Sequence, residues 1–275
     1  MTGRVFGRWR CRLAGVCLAV VLSGVAPWAA AATLTDLYAV DLVANNESAE
    51  ARNLALRQAL FAVLDRIIVS KDIAQIGLVQ QMLQNAPQYV KQSQFSALAA
   101  DGFAPSAARK FSVEFDEDQL LSELSKSSLR FWGEVRPETL LWLAVDEDDG
   151  SGWRFFNADD MPDIDAALSL ARKVKGMPLI YPLLDLEERQ KVAVNDLFSN
   201  DSGNIKTASA RYETPAVLVG RLVKKGGCWE GGWVVYFNGE ATQTGHACQT
   251  LNLAVQAGVR DLYDVLSAYY AIKSP

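Results

Sequence analysis

Apolar residues recur along this chain with two different periods, and the switches between them outline its elements. Leu37 to Val43 is a mostly apolar run closed by the polar turn Asn45-Asn46-Glu47, which marks a largely buried strand. Ser48 then offers an N-cap, and from Ala49 to Ile67 the residues Leu56, Leu60, Val63, Leu64 and Ile67 share one helical stripe. A second helix is predicted from Lys71, with Ile73, Ile76, Val79 and Met82 inward, stopping before Pro87. Gln88 to Phe95 and Lys110 to Phe115 read as strands, the latter alternating through Phe111, Val113 and Phe115. Asp116 and Gln119 have capping-box spacing for a short helix through Leu124. The pattern predicts a β-α-α-β-β-α module over residues 33–130.

A second α/β module is predicted over 131–275, after a join at Ser125 to Arg136. It opens with Thr139 to Val145, and the acidic turn Asp146 to Gly152 returns the chain into Trp153 to Phe156 as a hairpin partner. Pro162 to Lys175 has proline at its start and Gly176 just past its end, the asymmetry a helix favours. Pro178 to Leu184 reads as a buried strand, Val192 to Phe198 and Gly203 to Arg211 as short helices, and Ala216 to Val223 as an apolar strand. Trp233 to Phe237 and Glu240 to Gln249 form a hairpin about Asn238-Gly239, and Leu251 to Ile272 closes the chain as an amphipathic helix. The expected fold is α+β or α/β, with two small mixed sheets each covered by helices.

The first 32 residues stand apart. Arg4, Arg8, Arg10 and Arg12 precede an apolar run from Leu13 to Ala26, and Ala29 to Ala32 offers small-residue cleavage sites near Ala31 or Ala32. This is the grammar of a secretory signal peptide. The run is short for a bilayer crossing of about 20 residues, and neither Cys11 nor Cys17 sits in a lipid-attachment context. The expected location is periplasmic, with no membrane insertion of the mature chain. Removing the four leader arginines from 27 basic residues leaves 23 against 32 acidic ones, a charge near −9. So acidic a chain is a poor partner for nucleic acid, whose phosphates demand clustered Lys and Arg.

Cys228 and Cys248 are the cysteines that remain, and they flank the predicted hairpin. With Phe237 opposite Glu240, Cys228 falls opposite Gln249, one place from Cys248, an offset that a bulge at Gly231-Gly232 or Gly245 can absorb. A disulfide is expected in an oxidising compartment. The alternative is a pair of buried free thiols.

No catalytic, cofactor or metal set emerges. His246 is the single histidine and reads as an exposed or packed strand residue, since one histidine and two bonded cysteines cannot build a three- or four-ligand zinc site. Asp146 to Gly150 misses the EF-hand frame, because Asn157 occupies the position that needs Glu. Asp185 and Glu188 have capping-box spacing, although Asp185 and Glu187 could instead serve a cell-envelope hydrolase as paired carboxylates. A small-ligand carrier is a third possibility. Aromatics gather in the second module at Trp132, Trp142, Trp153, Trp229, Trp233, Tyr236 and Phe237. Core packing accounts for most of them, with Trp153 a candidate partner contact. In the last helix Val255, Val259, Leu262, Leu266 and Tyr269 keep core spacing, while Tyr263 and Tyr270 fall off that stripe as candidate exposed contacts.

Several segments carry a resemblance. Leu37-Tyr38-Ala39-Val40-Asp41-Leu42-Val43, Val135-Arg136-Pro137 ahead of Leu140 to Val145, Pro182 to Leu186, and Ala208-Ser209-Ala210-Arg211-Tyr212 leading into Ala216 to Leu222 together resemble the uncharacterised Gram-negative family catalogued as domain of unknown function 2066. The resemblance implies an exported bacterial protein and brings no catalytic residues. The Val-Leu-Val-Gly-Arg-Leu strand also looks like sheets of non-catalytic envelope accessory proteins, such as the flagellar T-ring assembly protein and lipoprotein activators of peptidoglycan synthases. The expected function is a non-catalytic module acting on another, unidentified envelope protein.

Overall fold

The structure, a computed structural model, describes residues 31–33, 37–98, 108–199 and 203–273. Residues 1–30, and with them nearly all of the expected signal peptide, lie outside the described residues.

In chain order the first part comprises β1 (Ala31–Thr33), β2 (Ala39–Ala44), α1 (Ala49–Ile67), α2 (Gly77–Gln84), β3 (Val90–Ala97), β4 (Arg109–Phe115), α3 (Glu117–Ser125) and β5 (Arg130–Phe131). Strands β2, β4 and β3 form an antiparallel sheet in that order, with Val40 opposite Val113 and Phe95 opposite Phe111. Ser48 caps α1 by accepting from the Ala51 N–H, and the stripe from Leu56 to Ile67 is buried against Phe111, Val113 and Phe115 as its spacing predicts. Burying each such side chain contributes about 1.5–3 kcal/mol. The helix expected from Lys71 starts later. Ile73–Gln75 is a 3-10 turn and the α-helix begins at Gly77, a residue of low helix propensity that divides the expected span. Val79 and Met82 nevertheless point inward, both fully buried.

The second part comprises β6 (Val135–Pro137), β7 (Thr139–Asp146), β8 (Arg154–Phe155), α4 (Pro162–Lys175), β9 (Leu179–Ile180), α5 (Leu186–Lys191), α6 (Gly203–Ser209), β10 (Ala216–Lys225), β11 (Cys228–Phe237), β12 (Glu240–Gln249), α7 (Leu251–Tyr270) and β13 (Ile272–Lys273). Its mixed sheet runs β12-β11-β10-β7-β8, with β9 also on β7; β10 and β9 are parallel to β7 and the other pairs are antiparallel. Alternate residues feed two cores. Leu141, Leu143, Leu218, Trp233 and Val235 face α4 and α7, while Leu140, Trp142, Ala144 and Val219 face Leu197, Ile205 and Ala208. Trp233 fits this core because Gly220, Gly231 and Gly258 leave room for it; a Cβ at any of the three would press into its indole. The expected strand Pro178 to Leu184 shrinks to Leu179–Ile180. Pro182 has no N–H for a ladder and Leu184 turns the chain at φ 50°, so Leu183 emerges 69% exposed.

Arg136 joins the two parts. Its side chain is fully buried, and the guanidinium donates to the carbonyl of Arg66 in the first part and to those of Trp132, Gly133, Lys175 and Gly176 in the second. Lys175 adds an ion pair to Asp65 at 2.8 Å.

Candidate functional site

The two sheet faces are covered unequally. Helices α4 and α7 span one face, whereas the residues around α5 and α6 cover the other over β7, β8, β9 and β10 and, at Val234 and Tyr236, part of β11. Beyond that cover, the Glu230–Gly232 end of β11 and the facing part of β12 lie open. There a cleft of about 520 Å³ forms, within the ordinary range for ligand sites of roughly 300–1,000 Å³.

Its floor follows from strand register. Ala144, Arg221, Gly232 and Gly245 occupy one row across β7, β10, β11 and β12, all on the same face. Gly232 and Gly245 are direct cross-strand partners and leave the floor bare. One wall is the edge-to-face pair Trp153 and Phe198, ring centroids 4.4 Å apart. Arg221 lies beside them with its guanidinium 5.5 Å from the centre of the Phe198 ring. Its Nη2 would stand 3.2 Å from a Cβ built on Gly232. At the far end Glu230 pairs with Lys225 at 2.6 Å. Among the described residues no hydrogen bond or ion pair engages the Arg221 guanidinium, so its charge faces the cleft uncompensated.

Just beyond, the disulfide Cys228–Cys248 forms as expected, with Cα atoms 5.4 Å apart. The bulge lies between Trp229 and Gly231, where the register moves so that Trp229 faces Gln249. This ties the end of β12 to β11. Nothing among the described residues pairs with the outer edge of β12.

Other sequence-predicted residues take different places. Trp153 is partly buried in the cleft wall. Tyr270 is half-buried and stacks on Trp132 at 5.9 Å. Tyr263, expected as an exposed contact, is 3% exposed; its hydroxyl donates to the Ile68 carbonyl and its ring meets Trp132 and Arg136. Tyr269, expected in the core, is 66% exposed. Both reversals have one cause: α7 packs against the sheet on one side and against α4 and the N-terminal part on another, so a single stripe misjudges its buried arc.

His246 is a packed strand residue on the face opposite the cleft, its Nε2 2.7 Å from Asp261 Oδ2 of α7. Asp185 caps α5 by accepting from the Glu188 N–H at 2.9 Å and pairs with Arg211. These two contacts, the backbone one first, hold its pKa below the usual carboxylate range. Lys191 does the same for Glu187 at 2.7 Å. Neither is prepared as a proton donor. Glu188, 1% exposed, instead clamps the preceding loop: it accepts from the Leu184 N–H and from the Tyr212 hydroxyl, whose pKa desolvation and Glu188 push up to about 12. The acidic turn is self-satisfied, with Asp146 accepting from the Asp148 N–H and Arg154 pairing with Glu147.

No motif marks Arg221 or Phe198 in the sequence, and Gly232 and Gly245 read there as places for a bulge. Their pairing is a matter of counting, because a hairpin with Phe237 opposite Glu240 sets Gly232 opposite Gly245. Phe198 and Arg221 meet only through tertiary folding.

A comparison with curated proteins finds no match. Among solved structures, the competence damage-inducible protein A of Klebsiella pneumoniae is similar at a TM-score of 0.26 and 13% identity, over 55% of this chain and 92% of that one, a likeness too low to inform fold or function. Among the described residues no helix is long and apolar enough to cross a membrane. Residues 31–133, the region of the three-stranded sheet, match the model of an uncharacterised family described as Domain of unknown function (DUF8605).

Proposed function

We propose that this chain is an exported, periplasmic accessory module that binds another cell-envelope protein and catalyses no reaction. The observation that carries this reading is the aromatic-walled, glycine-floored cleft, whose arginine has no ion-pair partner among the described residues, beside an open strand edge. A site built for chemistry would place perturbed acids or nucleophiles in its cleft; this one presents a flat floor, a cation and two rings. The leader-like first 32 residues and the disulfide support the periplasmic placement. The resemblance to domain of unknown function 2066 supports a Gram-negative origin. The two parts, 33–130 and 131–275, act as separate modules held by Arg136, with Trp153 and Tyr270 as partner contacts.

A photo-crosslinking residue placed at Ala247, beside the cleft, in protein expressed at native level should capture one dominant envelope partner. The same residue at Gln94, on the small sheet, should not. Equal capture from both positions, or robust turnover of an envelope substrate by purified protein, refutes the reading. Amino-terminal sequencing of the mature chain should start near Ala32.

A further inference from the structure

Resting on the binding reading above, we infer that the outer edge of β12 accepts an extended segment of the partner as an additional strand, and that an acidic side chain on that segment reaches Arg221 across the bare floor of Gly232 and Gly245.

Four observations converge on this arrangement. First, the fold itself does not demand glycine at either floor position. Neither residue has a positive φ. A Cβ at Gly245 would touch nothing within 4 Å, and the atoms nearest one at Gly232 belong to the movable Arg221 guanidinium. Glycine inside a strand weakens it, and where backbone geometry gives no reason it marks the close approach of a ligand or another backbone. The contrast with Gly220, Gly231 and Gly258 is direct, since those three make room for Trp233.

Second, β12 is ten residues long and lies at the end of its sheet. Its sequence, Glu-Ala-Thr-Gln-Thr-Gly-His-Ala-Cys-Gln, has none of the lysines or prolines that commonly blunt an edge. Its inner side is locked by the disulfide and by the His246–Asp261 contact, so the edge is held extended.

Third, the distances agree. A strand added to β12 lies about 4.8 Å beyond Gly245 and about 10 Å beyond Gly232, given ordinary strand spacing. Its residue level with Gly245 projects over the floor. The Arg221 guanidinium already hangs above Gly232, so a glutamate side chain and the arginine together span the gap. Fourth, charge selects the anchor. Among the described residues Arg221 has no hydrogen-bond or ion-pair partner, and bidentate capture of a carboxylate is the pairing its planar fork favours. Main-chain hydrogen bonds along the edge supply affinity, and the acidic anchor supplies register.

The test uses the full mature chain and blocked peptides of alternating Thr and Val with one central Glu, Gln or Lys. Backbone amide shifts of β12 and Trp153 fluorescence report binding. The Glu peptide should shift the Gly245 and Ala247 amides saturably and weaken with added salt. The Arg221→Gln variant should weaken it at least about tenfold, the loss of one charged hydrogen bond. The Gly245→Val variant should block binding while leaving the melting temperature unchanged or higher, because the new side chain meets only open space. Equal binding of the Glu and Gln peptides overturns the acidic anchor. Shifts produced as well by N-acetylglutamate alone, without edge amides moving, reveal an anion site and overturn strand addition. Concentration-dependent self-association lost in the same variants makes a second copy the occupant and overturns the partner. No shift at millimolar peptide overturns the proposal outright. A binding Glu peptide with no envelope partner in cells would leave this site standing and sink the envelope-binding function.

Discussion

Arg136→Met should cost this protein more than any other single substitution outside the apolar cores. The guanidinium makes five hydrogen bonds to main-chain carbonyls, at 2.5–3.1 Å, with no carboxylate among them. Trp132 lies against its face at 4.7 Å. Burial lowers its pKa to about 10, so it remains a cation at neutral pH. Methionine fills much of the volume but donates nothing, and five carbonyl oxygens, that of Gly133 part-buried and the others buried, lose this donor at once. Each bond to a charged donor contributes about 1.5–3 kcal/mol, though such values do not add. Against them stands the desolvation of the cation, which the substitution relieves. A buried carbonyl left without a donor costs about 1–3 kcal/mol, so even after that relief the net loss should be at least about 3 kcal/mol, a large share of the roughly 5–15 kcal/mol that holds a domain folded. Urea unfolding followed by far-ultraviolet circular dichroism and tryptophan fluorescence measures it. Because the five carbonyls belong to both parts of the chain, the two probes should separate into two transitions. Lysine at this position supplies three donors for five acceptors and should recover only part of the loss. A midpoint within about 1 kcal/mol of wild type, on the scale of an ordinary surface substitution, with coincident probes, refutes the reasoning.

Replacing Cys228 and Cys248 together by alanine should lower stability by about 3 kcal/mol, the loop-closure value for the 20-residue separation. An unchanged mass on reduction of alkylation-protected protein would deny the bond. Tyr212→Phe leaves the buried Glu188 without one of its donors and should cost about 1–3 kcal/mol, read from urea midpoints and from faster amide exchange at Leu184; unchanged exchange removes the clamp. Asp264→Asn should raise the melting temperature at pH 7. Desolvation raises the carboxyl's pKa in the folded state, so the folded chain binds the proton more tightly and stability falls as pH climbs from the unfolded value through the folded one. The gain should vanish below pH 3, and a gain independent of pH contradicts the burial explanation. Asp185→Asn should leave any activity of the protein intact while fraying α5, since its role is a cap.

What could be read in advance was whatever obeyed a local period or a cap. Helix α1 announces itself through Ser48 and its stripe, α4 through Pro162 and Gly176, and the hairpin through Asn238-Gly239, from which the disulfide followed. Misreadings came where one segment serves two neighbours. A single buried face on α7 predicts Tyr263 exposed, and the apolar side chains of Pro178 to Leu184 predict a full strand while masking the effect of Pro182 and the turn at Leu184. Arg136 gave no local signal, since its five partners lie on three separate stretches of chain. The cleft falls between these cases. Its floor is an arithmetic consequence of the hairpin, but Arg221 and Phe198 come together only when β10 and the segment after α5 share one sheet face.

Trp233 ties three distant glycines into one evolutionary unit. Its indole occupies the room left by Gly220 on β10, Gly231 on its own strand and Gly258 on α7, so none of the three can acquire a side chain while the tryptophan stays. The reverse also holds: a smaller residue at 233 releases all three positions at once. Substitutions there should therefore be contingent on one another, with Gly258→Ala harmful alone and tolerated beside Trp233→Leu. The same wedge blocks α7 from sliding along the sheet, since any shift of the helix carries Gly258 off the ring and brings a neighbour with a Cβ onto it.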